Sequence, residues 1–328
     1  MKPIPKVLAA LACGAAVATC APALADTYPA RPIRLIVAYG PGSGADIMAR
    51  ILSDKLAERL KTGVVVENRE GAGGQIGTLA AAKSPADGYT VLLAPTTLTV
   101  SPHMQNPPQY DAIRDFAPIA RVAVLPMAVV TAPNAPNAPY RSMKELVDYA
   151  RANPGKLSYA TSGKGSPSHL EMELLRKRYG LDVRDVPYKN VGQAMTDTIS
   201  GQVSFYFPTF PSALPHITSG RVRGLANGAV KRSEQAPSLP TISEELGLPN
   251  YEASVWYGLV APAGVPPDVI GKLSAEVLAI LESPQVRQQI AKTGAEVSPM
   301  DTQKFSAFIA SENAKWGGLV KELGLKDQ

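Results

Sequence analysis

Two hydrophobic periods alternate along this chain. Short runs of β-branched and apolar residues give way to stretches in which apolar residues recur every three or four positions. The short runs predict strands at Ile33–Val37, Val64–Glu67, Tyr89–Leu93, Ile119–Val122, Ala128–Thr131, Leu157–Ala160, Val203–Phe207, Arg223–Ala226 and Trp256–Val260. The longer period predicts helices at Asp46–Lys61, Gln75–Lys83, Met143–Ala152, Ser168–Tyr179, Gln193–Ile199, Ser212–Ser219, Val269–Glu282, Pro284–Thr293 and Gln303–Leu323. This alternation predicts an α/β fold with parallel sheets and crossover helices. A chain of 328 residues exceeds one ordinary core, so two lobes are expected. The turn-rich stretch Thr131–Tyr140 and the proline-containing stretch Lys231–Pro249 stand where the chain would enter and leave the second lobe. The last helix carries Phe305, Phe308, Ile309, Trp316, Leu319 and Val320 as one stripe, which reads as a core-facing surface.

The start of the chain has a different pattern. Lys2 and Lys6 precede an Ala/Leu/Val-rich run that ends at Ala23-Leu24-Ala25. This is the pattern of a secretory signal cleaved after Ala25, leaving Asp26 first and placing the mature chain in the periplasm. The run is too short and too alanine-rich for a membrane span. Cys13 and Cys20 are the only cysteines and both lie inside it, so the mature chain has no disulfide or thiolate chemistry. Thr19 is a poor match for the small residue expected before a lipidated Cys20. Removing Lys2 and Lys6 takes the formal charge from +5 to +3. Clusters such as Arg176-Lys177-Arg178 are short and read as solvated helix faces, so no nucleic-acid partner is expected.

The most informative local pattern is a strand, a glycine-rich turn and a helix at residues 28–52. Gly40, Pro41, Gly42 and Gly44 open onto the helix that carries Ile47, Met48, Ile51, Leu52, Leu56 and Leu60. A helix start has unpaired N–H groups and partial positive charge, so this unit suits an anion without a formal cation. A second such turn is Gly71-Ala72-Gly73-Gly74. Ile47 and Ile76 occupy the positions where a dinucleotide fingerprint needs its third glycine, and neither turn has the Lys and Ser/Thr of a P-loop. No nucleotide cofactor is expected.

A third strand–turn–helix lies at Tyr159–Leu175. Either Ser166 caps its helix with Pro167 at the first helical position, or Ser168 and Glu171 form a capping box. Capping accounts for most of these serines, and their hydroxyls would also suit a carboxylate. His169 beside them raises a hydrolase reading with Ser166 or Ser168, but no loop supplies the G-x-S-x-G elbow. Three scattered histidines without cysteines predict no metal site. Farther on, Tyr188-Lys189-Asn190 precedes a helix, and Phe205–Pro211 forms an aromatic loop. The three strand–helix turns and this loop could converge on one cleft; the alternative, from strand alternation, is that Phe205 and Phe207 are core residues and Tyr206 their outward neighbour.

With these motifs in order, the chain resembles the periplasmic solute receptors of tripartite tricarboxylate transporters, the Bug family. The matching stretches are residues 28–52, Val64–Leu93, Tyr159–Leu175, 186–203, 211–226 and Ser254–Ile270. The resemblance implies a two-lobed periplasmic-binding-protein fold, type II-like, with two crossing strands as the hinge. Lobe 1 would hold residues 26–121 plus 251–328, and lobe 2 residues 122–250. It implies a non-enzymatic, monomeric receptor without cofactor. The receptor closes on an organic carboxylate and delivers it to integral-membrane permease subunits, or reports it to a membrane sensor kinase. The implied contacts come from Tyr39, Gly42, Ser43, Gly44, Ala45 and Asp46, from Thr96 and Thr97, and from Ser162, Gly163, Ser166 and His169. Asn190, Phe207, Pro208, Thr209 and Phe210 complete the set. Pro208 stands where the family often has an aspartate, which argues against an amino-acid ligand. With Phe210, it favours a carboxylate with an apolar or aromatic body, such as a phthalate isomer.

Overall fold

The computed structural model describes residues 28–134, 138–249 and 251–326. The expected signal segment and its cleavage site lie outside the described residues. The first part of the chain forms β1 (Ile33–Val37), α1 (Gly44–Leu60), β2 (Val64–Asn68), α2 (Gln75–Ala82), β3 (Thr90–Pro95), α3 (Thr97–Met104) and β4 (Phe116–Pro126). The middle forms β5 (Ala128–Thr131), α4 (Met143–Ala152), β6 (Leu157–Thr161), α5 (Pro167–Tyr179), β7 (Val183–Pro187), α6 (Val191–Ile199), β8 (Phe205–Tyr206), α7 (Phe210–Thr218), β9 (Arg223–Asn227) and α8 (Ile242–Leu246). The last part forms β10 (Ser254–Pro262), α9 (Pro267–Glu282), α10 (Pro284–Lys292), β11 (Glu296–Met300) and α11 (Thr302–Leu323).

These strands build two sheets, and the fold is two-lobed α/β. One sheet has the order β11-β4-β10-β3-β1-β2 and the other β7-β6-β8-β5-β9. Both are mixed, which corrects the expectation of parallel sheets. β1 runs parallel to β2 and β3, but β10 is antiparallel to β3 and β4. In the second sheet β6 is parallel to β7 and β8, whereas β5 is antiparallel to β8 and β9. The reason is topological. A helix crossover returns the chain in the same direction. A chain that leaves one sheet on β4 and returns on β10 must run out and back.

β1 shows how the sequence pattern becomes layers. Ile33, Leu35 and Val37 pack with Met48, Leu52 and Leu56 of α1 on one face, while Ile36 packs with Leu92, Ala94 and Phe305 on the other. Both faces are covered, which is why the strand reads as a nearly continuous apolar run. β4 continues unbroken through Arg121 and Val122, and its pairing with β10 ends at Pro126 and Ser254. The backbone is then stitched across three segments. Met127 N–H donates to Ala253 O (2.9 Å), Gly228 N–H to Met127 O (2.6 Å), and Ala253 N–H to Gly228 O (2.9 Å).

The stripe on α11 serves two neighbours. Phe305 and Ile309 pack with Trp256 on the first sheet, whereas Trp316 and Val320 join Val100 and Met104 of α3 and Leu170 of α5. The last helix therefore touches both lobes, and Lys177 pairs with Glu322 at 2.7 Å at its far end.

Candidate functional site

The turn after β1 is held by one carboxylate. Ser43 caps α1, and its hydroxyl accepts from Asp46 N–H at 3.2 Å. Asp46 in turn accepts from Gly42 N–H (3.0 Å), from Arg50 Nε (3.0 Å) and Nη2 (2.9 Å), and from Asn68 Nδ2 (3.1 Å). Burial alone would raise its pKa, but the bonds from Arg50, Gly42 and Asn68 together hold it below the usual carboxylate range. Asp46 thus shapes the turn. The N–H groups of Gly44 and Ala45 find no protein acceptor among the described residues.

Across the cleft, Ser166 occupies the N-cap position of α5 without a side-chain capping bond, with Pro167 at the first helical position, and the capping box from Ser168 to Glu171 is not formed. The Ser166 hydroxyl bonds Thr161 Oγ1 (2.8 Å) and Ser168 Oγ (3.2 Å). His169 Nδ1 accepts from Gly165 N–H at 3.3 Å, and its Nε2 lies 3.9 Å from Glu173. Burial lowers its pKa more than Glu173 raises it, so the ring is neutral. Among the described residues no hydrogen bond joins His169 to Ser166 or Ser168, so the pair that a serine hydrolase needs is not assembled. Asn190 Oδ1 caps α6 by accepting from Gly192 N–H (2.8 Å) and Gln193 N–H (3.1 Å). Thr209 begins α7 without a side-chain cap.

These helix starts converge on one cavity. Its rim comes from the N-termini of α1 (Ser43, Gly44), α5 (Pro167, Ser168), α6 (Val191) and α7 (Thr209, Ser212), together with Ser162. Its wall is Tyr39, Met127, Tyr206, Phe207, Pro208 and Tyr257. None of these residues carries a charge. Four helix starts provide positive potential and N–H donors there, so the geometry selects an anion without a formal countercharge. The phenols stay neutral: burial pushes Tyr39 up to about 12 and holds Tyr206 and Tyr257 well above their usual range. The lobes meet around the cavity. Gly73 N–H donates to Ser162 O at 3.2 Å, and a Cβ on Gly44 would lie 2.6 Å from Thr209 Oγ1.

The cavity brings together Tyr39, Ser43, Gly44, Ser162, Phe207, Pro208 and Thr209 from the predicted set. The others stand behind it. Gly42 and Asp46 bond each other, Ala45 is fully buried, and Ser166, Gly163 and His169 are engaged within their own loop. Thr96 Oγ1 accepts from Trp256 N–H (2.9 Å), Thr97 Oγ1 lies 3.4 Å from the Tyr39 hydroxyl, and Asn190 is spent on its cap. Phe210 is buried in the second sheet's core, its ring against Gly294. The site adds Met127, Pro167, Ser168, Val191, Tyr206, Ser212 and Tyr257. Tyr206 is 4 % exposed and faces the cavity. β8 is only two residues long, so alternation along it does not separate a core face from a solvent face. A tyrosine inside the apolar run Trp256–Val260 was the available signal for Tyr257. Among the described residues no three His, Cys, Asp or Glu side chains gather as a metal cluster, and no helix is long and apolar enough to cross a membrane.

A family model described as tripartite tricarboxylate transporter family receptor matches residues 48–325. Protein BugT of Bordetella pertussis is 39% identical over 308 residues, 93% of this chain and 93% of that protein. The solved structure of R. palustris Rpa4515 with adipate superposes with a TM-score of 0.84 at 30% identity, covering 90% of this chain and 98% of that one. MatC from Rhodopseudomonas palustris with bound malate gives a TM-score of 0.81 at 26% identity, covering 89% and 100%.

Proposed function

This chain belongs to the tripartite tricarboxylate transporter receptor family of periplasmic solute-binding proteins, and on that premise we propose that it captures a small dicarboxylate by hinge closure and hands it to an integral-membrane permease. One observation carries the ligand class: a cavity with no charged side chain, rimmed by four helix N-termini. A carboxylate taken from water must recover its solvation from pre-placed donors. Here the free Gly44 and Ala45 N–H groups and the Ser43 and Ser162 hydroxyls are candidates for that role. Pro208 on the wall offers no partner for an ammonium group, so amino acids are disfavoured. Met127, Phe207, Pro208 and the tyrosine rings suit the apolar body of the ligand. Adipate and malate in the two similar proteins are dicarboxylates, and phthalate isomers belong to the same class. We set the exchange between lobes at Met127 on the way out and Ala253 on the way back, where backbone bonds tie the crossing segments together. The mature chain would start at Asp26 and act as a monomer in the periplasm.

The ligand shifts the population toward the closed form by binding it better than the open one. A thermal-shift screen of residues 26–328, unfolded and refolded to strip carried ligand, tests the reading. The panel holds succinate, malate, adipate, terephthalate, phthalate, benzoate, aspartate and glutamate. A ligand at 100 times its Kd adds about 2.7 kcal/mol. A raised midpoint limited to carboxylates without an amine is expected. A flat panel, or a response to the amino acids alone, overturns the assignment.

A further inference from the structure

The rim of helix starts accounts for one anionic end of a ligand and the tyrosine rings for its apolar body, which leaves the hydroxyls of the tyrosine wall without a task. Tyr257 is 3 % exposed, lines the cavity, and its hydroxyl has no hydrogen-bond partner among the described residues. Tyr206 is 4 % exposed and lines the same cavity, with Ser162 beside its phenol. Tyr39 differs, because its hydroxyl donates to Gly73 O at 3.1 Å. All three tyrosines line the one cavity. Two O–H groups, on β8 of one lobe and β10 of the other, therefore stand at a space already suited to an anion.

We propose that the hydroxyls of Tyr206 and Tyr257 form a second polar subsite, which receives the far carboxylate of a two-ended ligand and so makes this receptor select dicarboxylates over monocarboxylates. This rests on the carboxylate-receptor reading and goes beyond it by assigning the specificity to two residues. The subsite is neutral, so it recognises the far group by O–H donation, with no ion pair. Because the two donors come from different lobes, it is complete only when the lobes are closed.

The experiment measures affinity by calorimetry for three matched pairs: succinate and butyrate, adipate and hexanoate, terephthalate and 4-methylbenzoate. The proteins are wild type, Tyr257→Phe, Tyr206→Phe and the double variant. Wild type should favour the dicarboxylate in the pair it binds by at least about tenfold, the scale of one hydrogen bond to a charged group. Each Phe variant should lose about tenfold for the dicarboxylate and less than about twofold for its monocarboxylate partner. The ligand-free melting midpoint of Tyr257→Phe should stay level or rise, since a partnerless hydroxyl is removed. Equal losses for both members of a pair, no loss for either, or a marked fall in that midpoint each overturn the subsite. A wild type that binds monocarboxylates as well as dicarboxylates overturns it too but leaves the carboxylate receptor standing. Failure to bind any of the six overturns both readings.

Discussion

The turns Gly40–Gly44 and Gly71–Gly74 look alike in sequence and do different work. Each follows a strand of the parallel part of the first sheet, and each opens onto a helix. In the first, Asp46 gathers Gly42, Arg50 and Asn68, so the turn is rigid and the N–H groups of Gly44 and Ala45 stay unclaimed beside the cavity. The second has no side-chain cap, and Gly73 takes a left-handed conformation (φ 64°). Its N–H is spent on Ser162 O of the other lobe. An anion site needs donors that nothing else has claimed. Local chemistry makes the donors in both turns, and what lies opposite decides their use. The first turn lines the cavity and the second meets backbone of the other lobe.

Removing the carboxylate that rigidifies the first turn should have the largest effect. Asp46→Ala leaves Gly42 N–H without its acceptor and removes one of the two acceptors of Asn68 Nδ2, and should cost about 2–3 kcal/mol in urea unfolding, with ligand affinity lost alongside. The folded pKa of Asp46 lies below its unfolded value. Its stabilisation is therefore full above about pH 4 and is lost as pH falls through the folded value. Asp46→Asn should flatten that part of the acid-stability profile. An unchanged profile would show that the turn holds its shape by other means.

Gly73→Ala should act mainly on closure. The left-handed backbone costs about 1–2 kcal/mol for a residue with a Cβ, and that Cβ would lie 3.1 Å from Lys164 O across the cleft. Gly42→Ala is the control, since its φ of 78° gives the same strain with nothing within 4 Å. Ligand affinity measured by calorimetry should fall about fivefold further for Gly73→Ala than for Gly42→Ala, on the scale of a tight contact. Equal losses would remove the second turn from the closing surface.

The smallest effect separates two serines that read alike as helix caps. Ser43→Ala removes a cap that accepts from Asp46 N–H and should cost about 1 kcal/mol, with weaker ligand binding, because Ser43 lines the cavity. Ser166 is fully buried and bonded to Thr161 and Ser168. Ser166→Ala should lower the melting midpoint and leave affinity within about twofold, since most of a hydrogen bond's net worth would then be spent within the fold. A larger affinity loss for Ser166→Ala would bring that loop into direct contact with ligand.

Elements with a clear period were legible in the sequence, and the exceptions have identifiable causes. α3 escaped because Pro102 lies inside it and nearly all its residues are buried, which removes the polar face that marks a helix. β7 and β11 escaped because they are edge strands with charged or proline residues in exposed positions. At the site, Ser43 and Gly44 were legible because a glycine turn before an amphipathic helix has a local signature. Tyr206 and Tyr257 were not, because a tyrosine on a buried strand reads the same whether it faces a core or a cavity. Phe210 packs into the second sheet's core, and an aromatic at a helix start gives no sign in the sequence of which side its ring takes.

The sequence by itself determined the α/β class, the strand–turn–helix units with their caps, and the family to which the chain belongs. These follow from contacts within a dozen or so residues, where period and turn chemistry act directly. The tertiary structure alone decided that both sheets are mixed, which of two similar turns faces a cavity, and that phenols from two lobes line one space. Those features depend on pairs such as Gly73 with Ser162 or Tyr206 with Tyr257. The partners in such pairs lie far apart along the chain, and only the packing of the two lobes brings them together.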